Sequence, residues 1–191
     1  MRTDRRSFLA LAPLAPLTPL AIASGALVQE PAAPKVASTV ILVRHAETAA
    51  DTNTTRDPEL SEAGQERAES LGKLFAAAGV THLFSSEYKR TAATLAPLAK
   101  SLGLKVEVVS ARDPMEQVQA ILELPAGSVA AIAGHSNTTP GLFEALGGNF
   151  ARHPEAKEGA PTLMHDQHGR IFVATGSRVD GTALASLELR Y

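Results

Sequence analysis

The chain has 191 residues, 45% of them apolar and 20% charged, with a formal net charge of −2 and no cysteine. That length suits one domain with a sizeable core, and the balance is that of a globular chain rather than a disordered one. The small net charge removes the electrostatic case for nucleic acid or an anionic membrane as partner, and the missing cysteines exclude disulfides, thiolate metal sites and a thiol nucleophile.

The chain opens with Arg2, Arg5 and Arg6, followed by an apolar run from Phe8 to about Ala23 and small residues that offer cleavage after Ala23 or Ala26. This is the three-part layout of an export signal, and Arg5-Arg6-Ser7-Phe8-Leu9 resembles the twin-arginine type. Pro13, Pro16 and Pro19 interrupt the run and argue against a firm membrane-spanning helix. The expectation is a signal over residues 1–26, a Pro- and Ala-rich linker over 27–38 and a folded domain over 39–191. The protein would be exported, to the periplasm or another extracytoplasmic space, with no stable membrane span after signal cleavage.

Within the domain, Val40-Ile41-Leu42-Val43 reads as a buried strand that ends in Arg44-His45. After a polar loop, Ser61 is a fair N-cap for a helix to about Ala78, with Ala68, Leu71, Leu74, Phe75 and Ala78 at helical spacing. A short strand over Thr81–Phe84 leads to Ser85-Ser86, and a helix follows from Tyr88, disturbed at Pro97 and stopped at Gly103. Lys105–Val109 is a third strand. Asp113-Pro114 opens a helix whose apolar face is Val118, Ile121 and Leu122. Val129–Ala133 is a fourth strand that delivers Gly134-His135-Ser136, and a helix runs from Thr139 to Leu146. Ile171–Thr175 and Leu184–Leu189 close the chain as a pair of strands. The alternation predicts an α/β fold: a mainly parallel central sheet with helices on both faces.

In such sheets ligands bind at the C-terminal ends of the strands. Three segments bring unusual residues to that rim: Arg44-His45, then Ser85-Ser86 with Arg90 a turn further on, and then His135-Ser136. Two guanidinium groups, two imidazoles and helix N-terminal amides make a site for a dianionic, oxygen-rich group. A histidine there can act as a nucleophile towards phosphorus.

The same residues carry a resemblance. Arg44-His45-Ala46-Glu47-Thr48, then Ser85-Ser86 with Arg90, Thr91 and Thr94, then Gly134-His135-Ser136 resemble in order and spacing the three motifs of the histidine phosphatase superfamily, in its phosphoglycerate-mutase-like branch. Leu60-Ser61-x-x-Gly64 also resembles the family's stretch before its first long helix. The resemblance implies a phosphoglycerate-mutase-like fold and a phosphomonoester hydrolase with no metal and no cofactor. His45 would form a phosphohistidine, and Arg44, Arg90 and His135, with Ser136, would bind the phosphoryl group of a small phosphorylated substrate. The alternative is a phosphate-binding module of the same fold that lacks turnover.

The match departs from the family in three places. Ala46 stands where a glycine is usual, and Asp51 where an asparagine is common. The proton donor to the leaving group, usually a carboxylate between the second and third motifs, falls to Glu116 as first choice and Asp113 as second. Asp113-x-x-Glu116 equally fits a helix-capping pattern. The stretch is short, so the substrate-covering insertion of true mutases is missing, which favours an open phosphatase site. His165-x-x-His168 has a usable metal spacing, but in a polar loop it reads as solvent-exposed histidines, and no metal is assigned.

Overall fold

Strand β1 (Ser38–Arg44) lies inside a sheet of six strands, parallel to β4 (Val129–Gly134) on one side and antiparallel to β5 (Arg170–Gly176) on the other. The structure, a computed structural model, describes residues 38–51, 53–154, 159–176 and 183–191. Sheet order is β3-β2-β4-β1-β5-β6, with β2 (His82–Ser85), β3 (Val106–Val108) and β6 (Ala183–Arg190) completing it. The first four strands in that order are mutually parallel, and β5 and β6 pair antiparallel at one edge. The expected mainly parallel sheet is therefore what forms. The predicted signal and all of the linker except Ser38 lie outside the described residues. Among the described residues no helix is long and apolar enough to cross a membrane.

The unbroken apolar run of β1 follows from burial on both faces. Side chains alternate across a strand. Val40 and Leu42 enter a core with Phe84, Ile132, Leu142, Phe143 and Phe172. Ile41 and Val43 enter the opposite core with Leu71, Phe75, Leu83, Leu95 and Leu98. The second core is closed by α1 (Glu62–Phe75) and α2 (Lys89–Leu102), the first by α3 (Pro114–Leu122) and α4 (Thr138–Ala145).

Two boundaries differ from expectation. Helix α1 ends at Phe75, a few residues early, and α2 runs through Pro97 without a break. The proline forfeits one helical donor, but it sits where α1 presses on α2. A Cβ at Gly72 would lie 3.2 Å from both the Pro97 Cβ and the Leu98 nitrogen, so the packing of the pair outweighs local propensity there.

Close approach also explains Gly64. Its backbone lies against the carbonyl oxygen of Glu47. Around it the Ser61 amide donates to Glu47 O at 2.9 Å and the Ala49 amide to Glu59 O at 2.9 Å. Ser61 Oγ accepts from the Gly64 amide at 3.1 Å as the N-cap. The start of α1 is thus built onto the loop that follows β1.

Candidate active site

Parity along β1 sends Arg44 to the face of Val40 and Leu42, where the loop before β5 crosses the strand end. Arg44 Nη1 donates to the carbonyls of Met164 at 2.8 Å and His165 at 3.0 Å. Arg44 is 5% exposed and burial lowers its pKa to about 10, so it stays cationic at neutral pH. His45 is 4% exposed. Its amide donates to Gly134 O at 2.9 Å, and its Nδ1–H donates to the carbonyl of Ala46 at 2.8 Å. That bond fixes the tautomer and leaves the lone pair on Nε2. Burial, reinforced by Arg44, His135 and Arg90, outweighs the Ala46 bond and lowers the His45 pKa to about 3.

Arg90 rises from the first turn of α2, beneath the end of β2. Its Nη1 donates to Arg56 O at 3.1 Å and lies 3.4 Å from Asp57 Oδ1, while Nη2 lies 3.4 Å from Nδ1 of His135. The Tyr88 ring covers its guanidinium at 4.3 Å and meets the His135 ring edge-on at 5.2 Å. His135, at the end of β4, donates from Nε2 to Ser86 Oγ at 2.9 Å, and Ser86 Oγ bonds Thr91 Oγ1 at 2.9 Å. Burial, then the Arg90 charge, lowers the His135 pKa to about 4. Both site histidines are therefore neutral near pH 7.

The reason for a glycine at position 134 is internal. A Cβ there would stand 2.8 Å from the hydroxyl oxygens of both Thr138 and Thr139. Thr138 Oγ1 accepts from the His135 amide at 2.9 Å, and Thr139 Oγ1 donates to Val43 O at 3.2 Å. The glycine lets α4 begin hard against β1 and β4.

Two cavities meet at Arg44 and His45. The first, about 300 Å³, is lined by both residues with Arg90, His135, Ser136 and Tyr88, and also by Glu87 and Arg112. The second, about 410 Å³, is lined by both with Glu47, Asp51, His165 and His168 among others. The structure thus brings together Arg44, His45, Arg90, His135 and Ser136. It does not bring Glu116 to them. Glu116 stands exposed in the first turn of α3 and lines neither cavity. Asp113 Oδ1 accepts from the amides of Met115 at 2.9 Å and Glu116 at 3.4 Å, so the capping reading of that pair is the one the geometry displays.

Four further residues stand at the site to which the sequence assigns no role there. Glu87 and Tyr88 occupy the unassigned positions between Ser86 and Arg90. Glu87 accepts from the Ala111 amide at 3.0 Å, and that bond, ahead of Arg112, holds its pKa down. Asp57 caps α2 from a distant loop, its Oδ1 accepting from the Lys89 amide at 3.1 Å. His168, expected on the surface, is 6% exposed, and its Nδ1–H donates to the carbonyl of His45 at 2.8 Å. No group of acidic and histidine side chains able to hold a metal ion occurs among the described residues.

A sequence profile described as the histidine phosphatase superfamily, branch 1, matches residues 40–112. A structure of the protein histidine phosphatase SixA in complex with tungstate superposes with a TM-score of 0.60 at 17% identity, covering 80% of this chain and 96% of that one. The domain has the histidine phosphatase fold. A mycobacterial glucosyl-3-phosphoglycerate phosphatase shares it, with a TM-score of 0.56 at 15% identity over 81% of this chain and 98% of that one. So does a candidate phosphohistidine phosphatase SixA from Agrobacterium tumefaciens, at 0.55 and 22% identity over 78% of this chain and 96% of that one. No curated protein sequence matches the chain. The residues that line the first cavity fall on all three motifs that resemble the histidine phosphatases, including the third, which lies beyond the matched segment.

Proposed function

We propose that the protein is a phosphomonoester hydrolase that works through a phosphohistidine on His45, without a metal. The observation that carries this reading is the His45 ring itself: its Nδ1–H is committed to Ala46 O, so a neutral Nε2 lone pair is offered at the junction of the two cavities. In the first step Nε2 forms a bond to phosphorus while the bond to the leaving oxygen breaks. In the second, water displaces His45 and releases orthophosphate. Arg44, Arg90 and His135, with Ser136, would hold the phosphoryl oxygens, since phosphoryl transfer depends mainly on positioning and on stabilising spread charge. Nε of Arg44 and Nε of Arg90 are buried without a hydrogen-bond partner, which suits a site built for an added acceptor. A protein of the same fold has been captured with tungstate, an oxyanion.

The carboxylate in the first cavity, Glu87, is held ionised and is a poor proton source. The reading therefore favours small substrates whose leaving group departs without help, such as aryl or acyl phosphates. Glu116 outside both cavities also supports the second reading, a phosphate-binding module without turnover. Export by the N-terminal signal, to the periplasm or a similar space, belongs to the same proposal.

Hydrolysis of 4-nitrophenyl phosphate by the domain, with and without EDTA and beside His45→Ala, separates these readings. EDTA-resistant turnover, lost in the variant and accompanied by ³²P on His45, is the expected result. Phosphate binding with no turnover at any pH would establish the binding module instead.

A further inference from the structure

The first cavity holds a third arginine that the phosphoryl group does not need. A leaving group in line with His45 Nε2 lies across phosphorus from that nitrogen, in the cavity that Arg90 and His135 line. There the His135 ring stands 5.5 Å from the His45 ring, and Arg90 Nη2 lies 3.4 Å from His135 Nδ1. Past these buried groups the same cavity is lined by Tyr88 and by the exposed residues Glu87 and Arg112.

The turn that carries Arg112 is tied to the end of β2 and the residues after it. The Val109 amide donates to Ser85 O at 2.9 Å, the Ala111 amide to Glu87 Oε2 at 3.0 Å, and the Arg112 amide to Ser110 Oγ at 3.2 Å. Asp113 then caps α3. The backbone is thus fixed on both sides of Arg112, while the side chain is 75% exposed. Among the described residues the guanidinium makes no hydrogen bond, and its ion-pair partner is Glu87 Oε1, 3.6 Å from Nε. That exposed contact is weak, and Glu87 has a nearer partner in the Ala111 amide, the largest cause of its lowered pKa. The Nη1–Nη2 fork therefore stays open, in the geometry that matches a carboxylate with two parallel hydrogen bonds. With Arg44 and Arg90 turned to the phosphoryl dianion and both site histidines neutral, Arg112 is the remaining cation in the lining.

We propose that Arg112 is a specificity-determining residue whose guanidinium fork binds a carboxylate on the leaving group of the substrate. The substrate class is then a small phosphomonoester whose leaving group also carries a carboxylate, compact enough for a cavity of about 300 Å³. The proposal rests on the hydrolase reading above, whose leaving group it describes.

The test compares 3- and 4-carboxyphenyl phosphate with the corresponding carboxamides, which have nearly the same shape and no charge on the ring substituent. Values of kcat/KM are measured for the whole protein, for Arg112→Gln and for Lys89→Gln. Lys89 is exposed, pairs with Glu59 and does not line the cavity, so its variant removes an equal charge from nearby. The readout is the ratio of carboxylate to carboxamide, in which any general change in rate cancels. At least one carboxylate isomer should be preferred by about five-fold in the parent. The ratio should fall to about one in Arg112→Gln and stay at the parental value in Lys89→Gln. A parent without preference for either isomer would overturn the proposal, as would a preference that survives in Arg112→Gln. An equal fall in both variants would mean long-range charge alone and would overturn it too. Absence of turnover with every compound would overturn the hydrolase reading instead. The ratio of calorimetric Kd values for the same compounds and proteins then decides the role of Arg112 by the same criteria.

Discussion

Acid should unfold this protein through its site histidines. His45 and His135 have folded pKa values of about 3 and about 4, against 6.5 in an unfolded chain. Because both are depressed, the unfolded chain takes up two protons as the pH drops below 6.5 while the folded form takes up none. The stability they allow is complete above that value and is lost as the pH falls towards 4 and 3. Each histidine costs about 1.4 kcal/mol per pH unit within that window. Between neutral pH and pH 4 the pair together removes about 6 kcal/mol, comparable to the whole stability of a typical domain. Urea midpoints measured every half unit from pH 7.5 to 4 should fall accordingly. His45→Asn should flatten the slope by about half. ¹³C-detected titration of the two rings gives the same quantities directly. Midpoints that hold level from pH 7 to 5, or ring titrations near 6.5, would refute the reasoning.

The remaining predictions concern how the site is held. Gly134→Ala would press a methyl group on the hydroxyls of Thr138 and Thr139, and should destabilise by about 2 kcal/mol in thermal melts while weakening inorganic phosphate binding. Asp57→Ala removes the remote cap of α2 and the carboxylate beside Arg90, and should cost about 1 kcal/mol in denaturant titrations and raise KM for 4-nitrophenyl phosphate more than it lowers kcat. Binding of inorganic sulfate, which stays a dianion at pH 5.5, should take up protons, because a dianion raises the depressed pKa of His135. Calorimetry in buffers of different ionisation enthalpy should show that uptake, and His135→Asn should reduce it.

The sequence displayed what local chemistry controls. Four apolar residues in succession at Val40–Val43 implied a strand buried on both faces, and the two cores on either side of β1 are the reason. Ser61 and Pro114 marked helix starts because capping and proline geometry are properties of a few neighbouring residues. The strand ends announced Arg44, His45, Arg90 and His135, since a parallel sheet carries such ends to one rim. What stayed hidden depends on chain segments far apart in sequence. His168 is buried only because its loop folds across the end of β1, and a polar stretch with glycine carries no periodicity that could announce this. Asp57 caps a helix that begins 32 residues later. Glu116 lies between the second and third motifs in the sequence, but α3 packs beside the first core and leaves that side chain in solvent.

One feature of the site's wiring bears on why it suits a dianion. Cations buried in proteins are usually compensated by carboxylates, which orient them but cancel their charge. Here the orientation comes largely from neutral carbonyls. Arg44 is held by Met164 O and His165 O, His45 by Ala46 O, His168 by His45 O, and Arg90 chiefly by Arg56 O at 3.1 Å, with Asp57 further away at 3.4 Å. A carbonyl dipole satisfies a donor and fixes its direction without supplying a counter-charge. Of the nearby carboxylates, Glu47 is engaged with Arg67 and Glu87 with the Ala111 amide and Arg112, while Asp57 alone pairs with a site cation, Arg90. Arg44, held by carbonyls rather than by a carboxylate, consequently sits as a cation in a poorly solvated place, where an arriving phosphoryl dianion interacts more strongly than it would in water. The same burial keeps the histidines neutral, so the nucleophile is not quenched by a proton before the anion arrives. Charge for binding and neutrality for attack would conflict in an exposed cluster, and they coexist here because arginine resists deprotonation at a burial that histidine does not.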